Sequence, residues 1–238
     1  MGIGVQEFIA FWRQLDFAPL WISLKTGIVA TAVSFFLGIF AACKIARAPA
    51  KLRVVLDALF TLPMVLPPTA VGFFLLLLFS RRRLIGAVLY ERFGILAVQT
   101  WLGCVLAATV ISFPLMYKNA KAAFEQIDKN IVYAARTLGI PEWKIFFKII
   151  FPSAKPGILS GTVLTFARAL GEYGATSMLA GNIAGRTGTV SQNIAVALQG
   201  GDYAEAGFWA CVVLIFALLC IIGINIFGEM SHRFRNKQ

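Results

Sequence analysis

Arg168 and Glu172 stand four residues apart as the two charges of an otherwise uncharged stretch, residues 156–179. On a helix, side chains at that spacing meet on one face. With about 1.5 Å of rise per residue, Arg168 lies about 18 Å from Pro156, near the middle of a bilayer. Charges at that depth are costly and turn toward protein or a water-filled cavity. Two chemistries are open. Arg168 could lend positive potential to an anion path, with Glu172 holding it in place. Alternatively the two form an ion pair that locks the helix to its neighbours. A second constellation is Pro63, Pro67 and Pro68. Proline removes a backbone donor and clashes with the preceding turn. Lipid cannot satisfy the carbonyls so freed, which must face protein or water. The run Leu-Pro-Met-Val-Leu-Pro-Pro-Thr therefore predicts a kinked helix, either beside a polar path or kinked for packing alone.

Other chemistries are missing from the chain. It has no G-x-x-x-x-G-K-[ST] phosphate loop. It has no Ser/His/Asp set and no cluster of metal ligands, so catalysis by this chain alone is not expected and it needs no cofactor of its own. Cys43, Cys104, Cys211 and Cys220 form no C-x-x-C pair. They read as small apolar residues, the alternative being a metal or redox role. His232 is the one histidine and lies in a basic tail, where it is expected to be solvated.

The elements that carry these residues follow from composition. Of 238 residues, 59% are hydrophobic and only 14% charged, with a net charge of +11. A soluble domain has about 25% charged residues. Disorder is excluded by the apolar content, and there is too little polar sequence to cover a water-soluble globule. The chain reads as an all-α integral membrane protein, a single transmembrane domain over residues 1–238. Charge-free runs over 26–43, 58–80, 93–117 and 206–228 are each long enough to cross about 30 Å of hydrocarbon as a helix. Five transmembrane helices are expected, at about 20–43, 58–80, 95–117, 156–179 and 206–228. The first residues lack the pattern of a cleaved signal peptide, and residues 5–12 could form a short interfacial helix.

Basic residues in loops set the orientation. With the N-terminus outside and the C-terminus inside, the cytoplasmic loops take most of the lysines and arginines, including Lys44, Lys51, Lys118, Lys129, Arg136 and Lys148. Arg81, Arg82 and Arg83 go against the rule. Outside the cell they could attract an acidic partner or an anion, or simply reach lipid phosphates.

Between the third and fourth spans, residues 128–152 predict a cytoplasmic elbow. Asp128 or Asn130 can cap a short helix. Gly139 suits a left-handed terminator, Pro141 and Glu142 suit the first turn of a second helix, and Pro152 is expected to end it. Leu138, Ile140, Trp143, Phe146 and Phe147 are many large apolar groups for a loop. Some must pack on the spans. The rest could enter a partner's groove, or lie on lipid.

Tyr133, Ala134, Ala135 and Gly139, followed after nine residues by Ile149, Ile150, Phe151 and Pro152, resemble the E-A-A-x-x-x-G-x9-I-x-L-P signature of binding-protein-dependent ABC importer permeases. Ala134, Ala135, Gly139, Ile149 and Pro152 match. Tyr133 replaces the family's Glu and Phe151 its Leu. The proline run at 62–68 with Thr69, the Ser-Phe-Pro-Leu-Met of 112–116, and residues 166–176 look like the permeases of molybdate transporters. Sulfate and tungstate permeases share much of that pattern.

The resemblance implies a homodimer in the inner membrane that imports an oxyanion, most closely molybdate, by alternating access. Two cytoplasmic ATPase subunits, holding ATP and Mg, would bind the elbows through Tyr133, Ala134, Ala135, Leu138, Gly139, Trp143 and Pro152. An external binding protein would deliver the anion, with lipid around the assembly and no nucleic acid. Pro67, Pro68, Thr69, Arg168, Glu172 and Thr176 are the candidates for the path. An autonomous channel or ion-coupled carrier is the reading from another class, and a membrane scaffold without a solute is a third.

Overall fold

A computed structural model describes residues 16–46 and 48–235. The proposed interfacial helix at 5–12 lies outside them. The described residues contain helices and no strand. In chain order the helices are α1 (Ala18–Ala46), α2 (Ala50–Val65), α3 (Pro68–Phe79), α4 (Leu84–Phe93) and α5 (Trp101–Glu125). Then come α6 (Lys129–Thr137), α7 (Glu142–Leu170), α8 (Gly174–Ala180), α9 (Val190–Gln199) and α10 (Tyr203–Arg235). Four helices are long and apolar enough to cross a membrane, or five if α2 and α3 together form one bent span. The chain is therefore a multi-pass membrane protein.

The axis of the fold is α5. Near the elbow end, Met116, Tyr117, Ala120 and Ala123 of α5 pack with Ala41, Ala42 and Ile45 of α1 and with Ala154 and Ile158 of α7. Midway, Ala108 meets Ala30 of α1 and Ala169 of α7. At the same level on another face, Ala107 and Ile111 pack on Val71 and Leu75 of α3 and on Ala175 and Leu179 of α8. Alanine dominates these seams because lipid gives apolar helices no reason to associate, so close backbone packing must. Gly157 and Gly161 belong to the same seam. A Cβ at Gly161 would stand 2.5 Å from the Asn119 Cβ, and one at Gly157 2.8 Å from the Ala123 Cβ. The small face at 157–161 is packed inside the chain against α5.

Three expectations need correction. The span at 58–80 is not one kinked helix: α2 begins at Ala50, and α2 and α3 are bent by 110°. Leu66 and Pro67 each precede a proline, which drives both out of the α region. Their ψ values are 146° and 133°. Pro63, with one proline and no such pair, stays inside α2. The span at 156–179 is also divided. Its helix starts as early as Glu142, ends at Leu170, and resumes as α8 after residues 171–173. Arg168 and Glu172 are thus not on one continuous helix. Lastly, Pro152 does not end the elbow's second helix. Residues Phe146–Ile150 form a π turn, and the Phe151 N–H reaches back to the Phe146 carbonyl. This wider turn takes up the place where a proline ring would strike the preceding carbonyl, so the helix runs on. The other spans lie close to expectation, though α5 extends to Glu125 and α10 to Arg235.

The end opposite the elbow is tied by polar groups. Thr189 and Gln192 form a capping box on α9. The Gln192 amide also donates to the Gly181 carbonyl at 2.9 Å and to Ser177 Oγ at 3.2 Å. The Val190 N–H donates to Ser23 Oγ of α1 at 2.9 Å.

The α5–α7 contact yields a test. Gly161→Ala forces a methyl group onto Asn119 and is expected to destabilise by about 1–3 kcal/mol. Gly223→Ala, where nothing lies within 4 Å, is expected to be neutral or mildly stabilising. Thermal unfolding of the detergent-solubilised protein compares the two.

Candidate functional site

The two breaks in the spans lie against each other. A Cβ at Gly174, the first residue of α8, would stand 3.0 Å from the Pro68 Cβ and 3.2 Å from the Thr69 nitrogen. Backbone groups freed at a break need partners, and Glu172 supplies them at one. Its side chain is 2% exposed. One carboxylate oxygen accepts the Ala175 N–H at 2.7 Å, and the other accepts Arg168 Nη1 at 2.9 Å. A carboxylate at a helix N-terminus is favoured both by the hydrogen bond and by the helix dipole. Glu172 therefore caps α8 and pairs with Arg168 across the break.

Arg168 differs from its partner. Its side chain is 38% exposed and lines a cavity of about 100 Å³ with Pro63, Met64, Leu66, Pro68, Ile111 and Leu115. Both readings of the pair thus find support at different atoms: the carboxylate ties the fold, and the guanidinium faces open space. Thr176 is buried on α8 beside Ala175. Thr69 is exposed at the start of α3, and Pro67 is exposed at the bend. The fold gathers the bend at Pro67 and Pro68, with Thr69, beside the break that carries Glu172 and leads into Thr176.

The elbow is built as its residue types require. Asp128 caps α6, accepting the Asn130 N–H at 2.8 Å. Leu138 ends the helix and Gly139 follows at φ +72°, a conformation that is strained for any residue with a Cβ. The Gly139 N–H donates to the Arg136 carbonyl at 2.9 Å and the Ile140 N–H to the Ala135 carbonyl at 3.2 Å, the paired bonds of a Schellman turn. Pro141 caps α7 from just outside rather than within its first turn, and Glu142 opens the helix. Across the turn, Arg136 donates to both Glu142 oxygens, at 2.6 and 3.2 Å. That hydrogen bond and the charge of Glu142 raise the Arg136 guanidinium above its ordinary pKa.

The expected coupling residues divide. Leu138 is 78% exposed and Trp143 62%. Tyr133, Ala134 and Gly139 are exposed with them, so the tip of the elbow is an apolar surface left uncovered by the other described residues. Ala135 is buried and serves the inside of the elbow. Pro152 is exposed beyond the π turn, on the rising helix.

Sequence reasoning missed a third group. Asp57 of α2 accepts hydrogen bonds from the Tyr117 hydroxyl and the Lys121 ammonium of α5. The signal was present. Asp57 is the only acid between Asp16 and Glu91 and directly precedes the uncharged run at 58–80. Tyr117 and Lys121 have the spacing of one helical face.

Elbow, breaks and clasp all lie within residues 34–236, which match the family described as "Binding-protein-dependent transport system inner membrane component". The chain belongs to this family. The molybdenum transport system permease protein ModB of Escherichia coli (strain K12) is 43% identical over 203 residues, 83% of this chain and 88% of the relative. The sulfate transport system permease protein CysT of the same strain is 35% identical over 229 residues, 94% of this chain and 82% of the relative. The fold matches that of a chain in a bacterial alginate ABC transporter, solved in complex with an alginate pentasaccharide-bound periplasmic protein. That match has a TM-score of 0.71 at 18% identity, covering 98% of this chain and 84% of the other.

The two roles of Glu172 can be separated. Glu172→Ala removes the α8 cap and leaves Arg168 without its carboxylate, and is expected to destabilise by about 2 kcal/mol or more. In Arg168→Met/Glu172→Gln the amide oxygen can still accept the Ala175 N–H and no charge is left unpaired. The double variant is expected to unfold close to the wild-type temperature.

Proposed function

We propose that this chain is the membrane subunit of an importer of molybdate. The observation that carries the reading is the likeness to ModB, 43% identity over 83% of the chain. The exposed elbow supports a transport subunit driven from outside itself. The chain has no phosphate loop, so ATP and its Mg sit on separate ATPase subunits. In the assembly two copies of this chain pair in the inner membrane, each with five spans, the N-terminus outside and the elbow and C-terminus in the cytoplasm. Two ATPase subunits grip the two elbow tips. A binding protein on the outer face hands over the anion, which passes between the copies.

In this mechanism, closure of the ATPase pair draws the elbows together through Tyr133, Ala134, Leu138, Gly139 and Trp143. The nucleotide states must differ in how well they hold the elbow, since equal affinity for two conformations shifts neither. The buried Ala135 carbonyl and the Arg136–Glu142 pair keep the tip in one shape, so displacement passes into α7 rather than bending the turn. At the other end of α7, Arg168 offers the oxyanion a positive charge that Glu172 only partly neutralises. The bend at Pro67 and Pro68, with Thr69, and the break before Thr176 supply further polar groups along the path. Contacts of this kind lower the cost of stripping water from a dianion without holding it tightly.

CysT gives the second reading, sulfate as cargo, because its likeness runs over 94% of the chain. Reconstitution separates the two. With the co-expressed ATPase and binding protein in proteoliposomes, molybdate uptake is expected to require ATP and both partners, and sulfate in excess is expected to compete weakly. Preferential sulfate uptake reverses the assignment, and uptake by this chain alone removes the ATPase-driven mechanism.

Gly139 provides the test of coupling. A β-branched side chain at its left-handed φ costs about 1–2 kcal/mol. Gly139→Val is therefore expected to lower ATP-driven uptake by roughly tenfold and to weaken ATPase co-purification, with membrane insertion unchanged. Unchanged uptake and co-purification would show that the elbow's shape is irrelevant to coupling.

A further inference from the structure

Helix α2 has no fully buried residue; its half-buried Leu56 and Phe60 are what it packs against the core. It rests chiefly on α5, where Asp57 makes the polar contact. Asp57 takes the Tyr117 hydroxyl on one oxygen and the Lys121 ammonium on the other. Phe60, one turn further along, stands edge-on to Phe113 at 5.4 Å and to Tyr117 at 5.5 Å. The Asp57 and Lys121 side chains are 29% and 22% exposed. Lys118 and Glu125 line the same small recess as Asp57 and Lys121, and Glu125 lies 4.0 Å from Lys121.

The clasp stands between two features already described. On one side, Lys121 and Glu125 share a cavity of about 500 Å³ with Arg53 of α2 and with Tyr133 and Arg136 of the elbow. On the other, nine residues along α2, or about 13 Å, is the bend at Leu66. There Pro63, Met64, Leu66 and Pro68 wall the cavity that Arg168 enters. Moving α2 away from α5 would carry that wall with it.

We propose that Asp57, clasping Tyr117 and Lys121, is a positioning residue for transport: it seats α2 against α5 and thereby sets whether the α2–α3 bend covers Arg168. The chemistry suits a contact that opens and remakes. Both ions are partly wet, so separating them exposes groups that water can solvate, and the apolar contacts beside them, through Leu56 and Phe60, are only half-buried. An apolar clasp in the same place would be released less readily. The transport consequence rests on the proposed importer function. The consequence for access to Arg168 does not.

The test uses the full transporter, this chain with its ATPase subunits, in membranes. The four native cysteines are replaced and Leu66→Cys is introduced as a reporter on the cavity wall. Labelling by a water-soluble maleimide is compared without nucleotide and with the ATPases trapped by vanadate. Wild-type Asp57 is expected to give a rate that differs between the two states. Asp57→Asn is expected to raise nucleotide-free labelling by roughly tenfold or more and to abolish the difference. Asp57→Glu is expected to restore it, and Asp57→Lys/Lys121→Asp to restore it in part. A purely structural role predicts instead a fall in folded protein with no change in labelling of what remains, and that result overturns the proposal. Equal labelling in Asp57→Asn and wild type overturns it as well. If Asp57→Asn does not assemble, the swapped pair decides, since assembly of the swap without recovery of the state difference refutes the clasp. A transporter that carries some other solute defeats the importer assignment while leaving the labelling result to stand.

Discussion

A hydrocarbon interior offers no hydrogen bonds, so every interruption of a helix there must be answered by the protein itself. This chain interrupts two of its apolar segments, at Leu66–Pro67 and at residues 171–173, and the arrangement of the other helices follows from how those interruptions are answered. Pro67 and Pro68 lack the N–H groups that would otherwise be orphaned at the start of α3. Glu172 caps α8 and is buried beside the other break. With α3 and α8 packed together through Val71, Leu75, Ala175 and Leu179, the two interruptions share one protected region. α5 runs past as an uninterrupted support. The charge demanded by the cap brings Arg168 with it, and a structural need thereby places a cation beside a cavity.

The elbow answers a different requirement. It leaves an apolar tip exposed while staying attached to the spans in a fixed pose. The Schellman bonds, the left-handed Gly139 and the bidentate Arg136–Glu142 contact define the turn. Ala135 and Ile145, both buried, seat it. Leu138 and Trp143 are left outward. The same segment therefore holds buried and exposed residues only one or two positions apart, as Ala134 and Ala135 illustrate.

Much of this was legible in the residues. Long uncharged runs located the spans because an apolar solvent tolerates little else, and Asp128, Gly139 and Glu142 marked the elbow because capping chemistry is local. The breaks were only half legible. The prolines announced a disturbance, but a bend of 110° arises from two successive pre-proline restrictions combined with packing of α3 on α8, which is a tertiary fact. The division of residues 156–179 was hidden because Glu172, an ordinary helical residue by spacing, bonds to Ala175 instead of continuing the helix. Pro152 misled for the converse reason: a π turn absorbed it. Asp57 escaped notice because its meaning lies on another helix, in Tyr117 and Lys121, and no one-dimensional pattern joins them.

The π turn that carries the chain past Pro152 has a geometric consequence. It leaves Glu142–Leu170 as one rod of 29 residues, about 44 Å long. A rotation of about 5° around one end of such a rod sweeps the other through an arc of about 4 Å, wider than a water molecule. Arg168 sits on the last turn of that rod, so a turn of a few degrees at the foot carries its backbone about as far as a water molecule is wide.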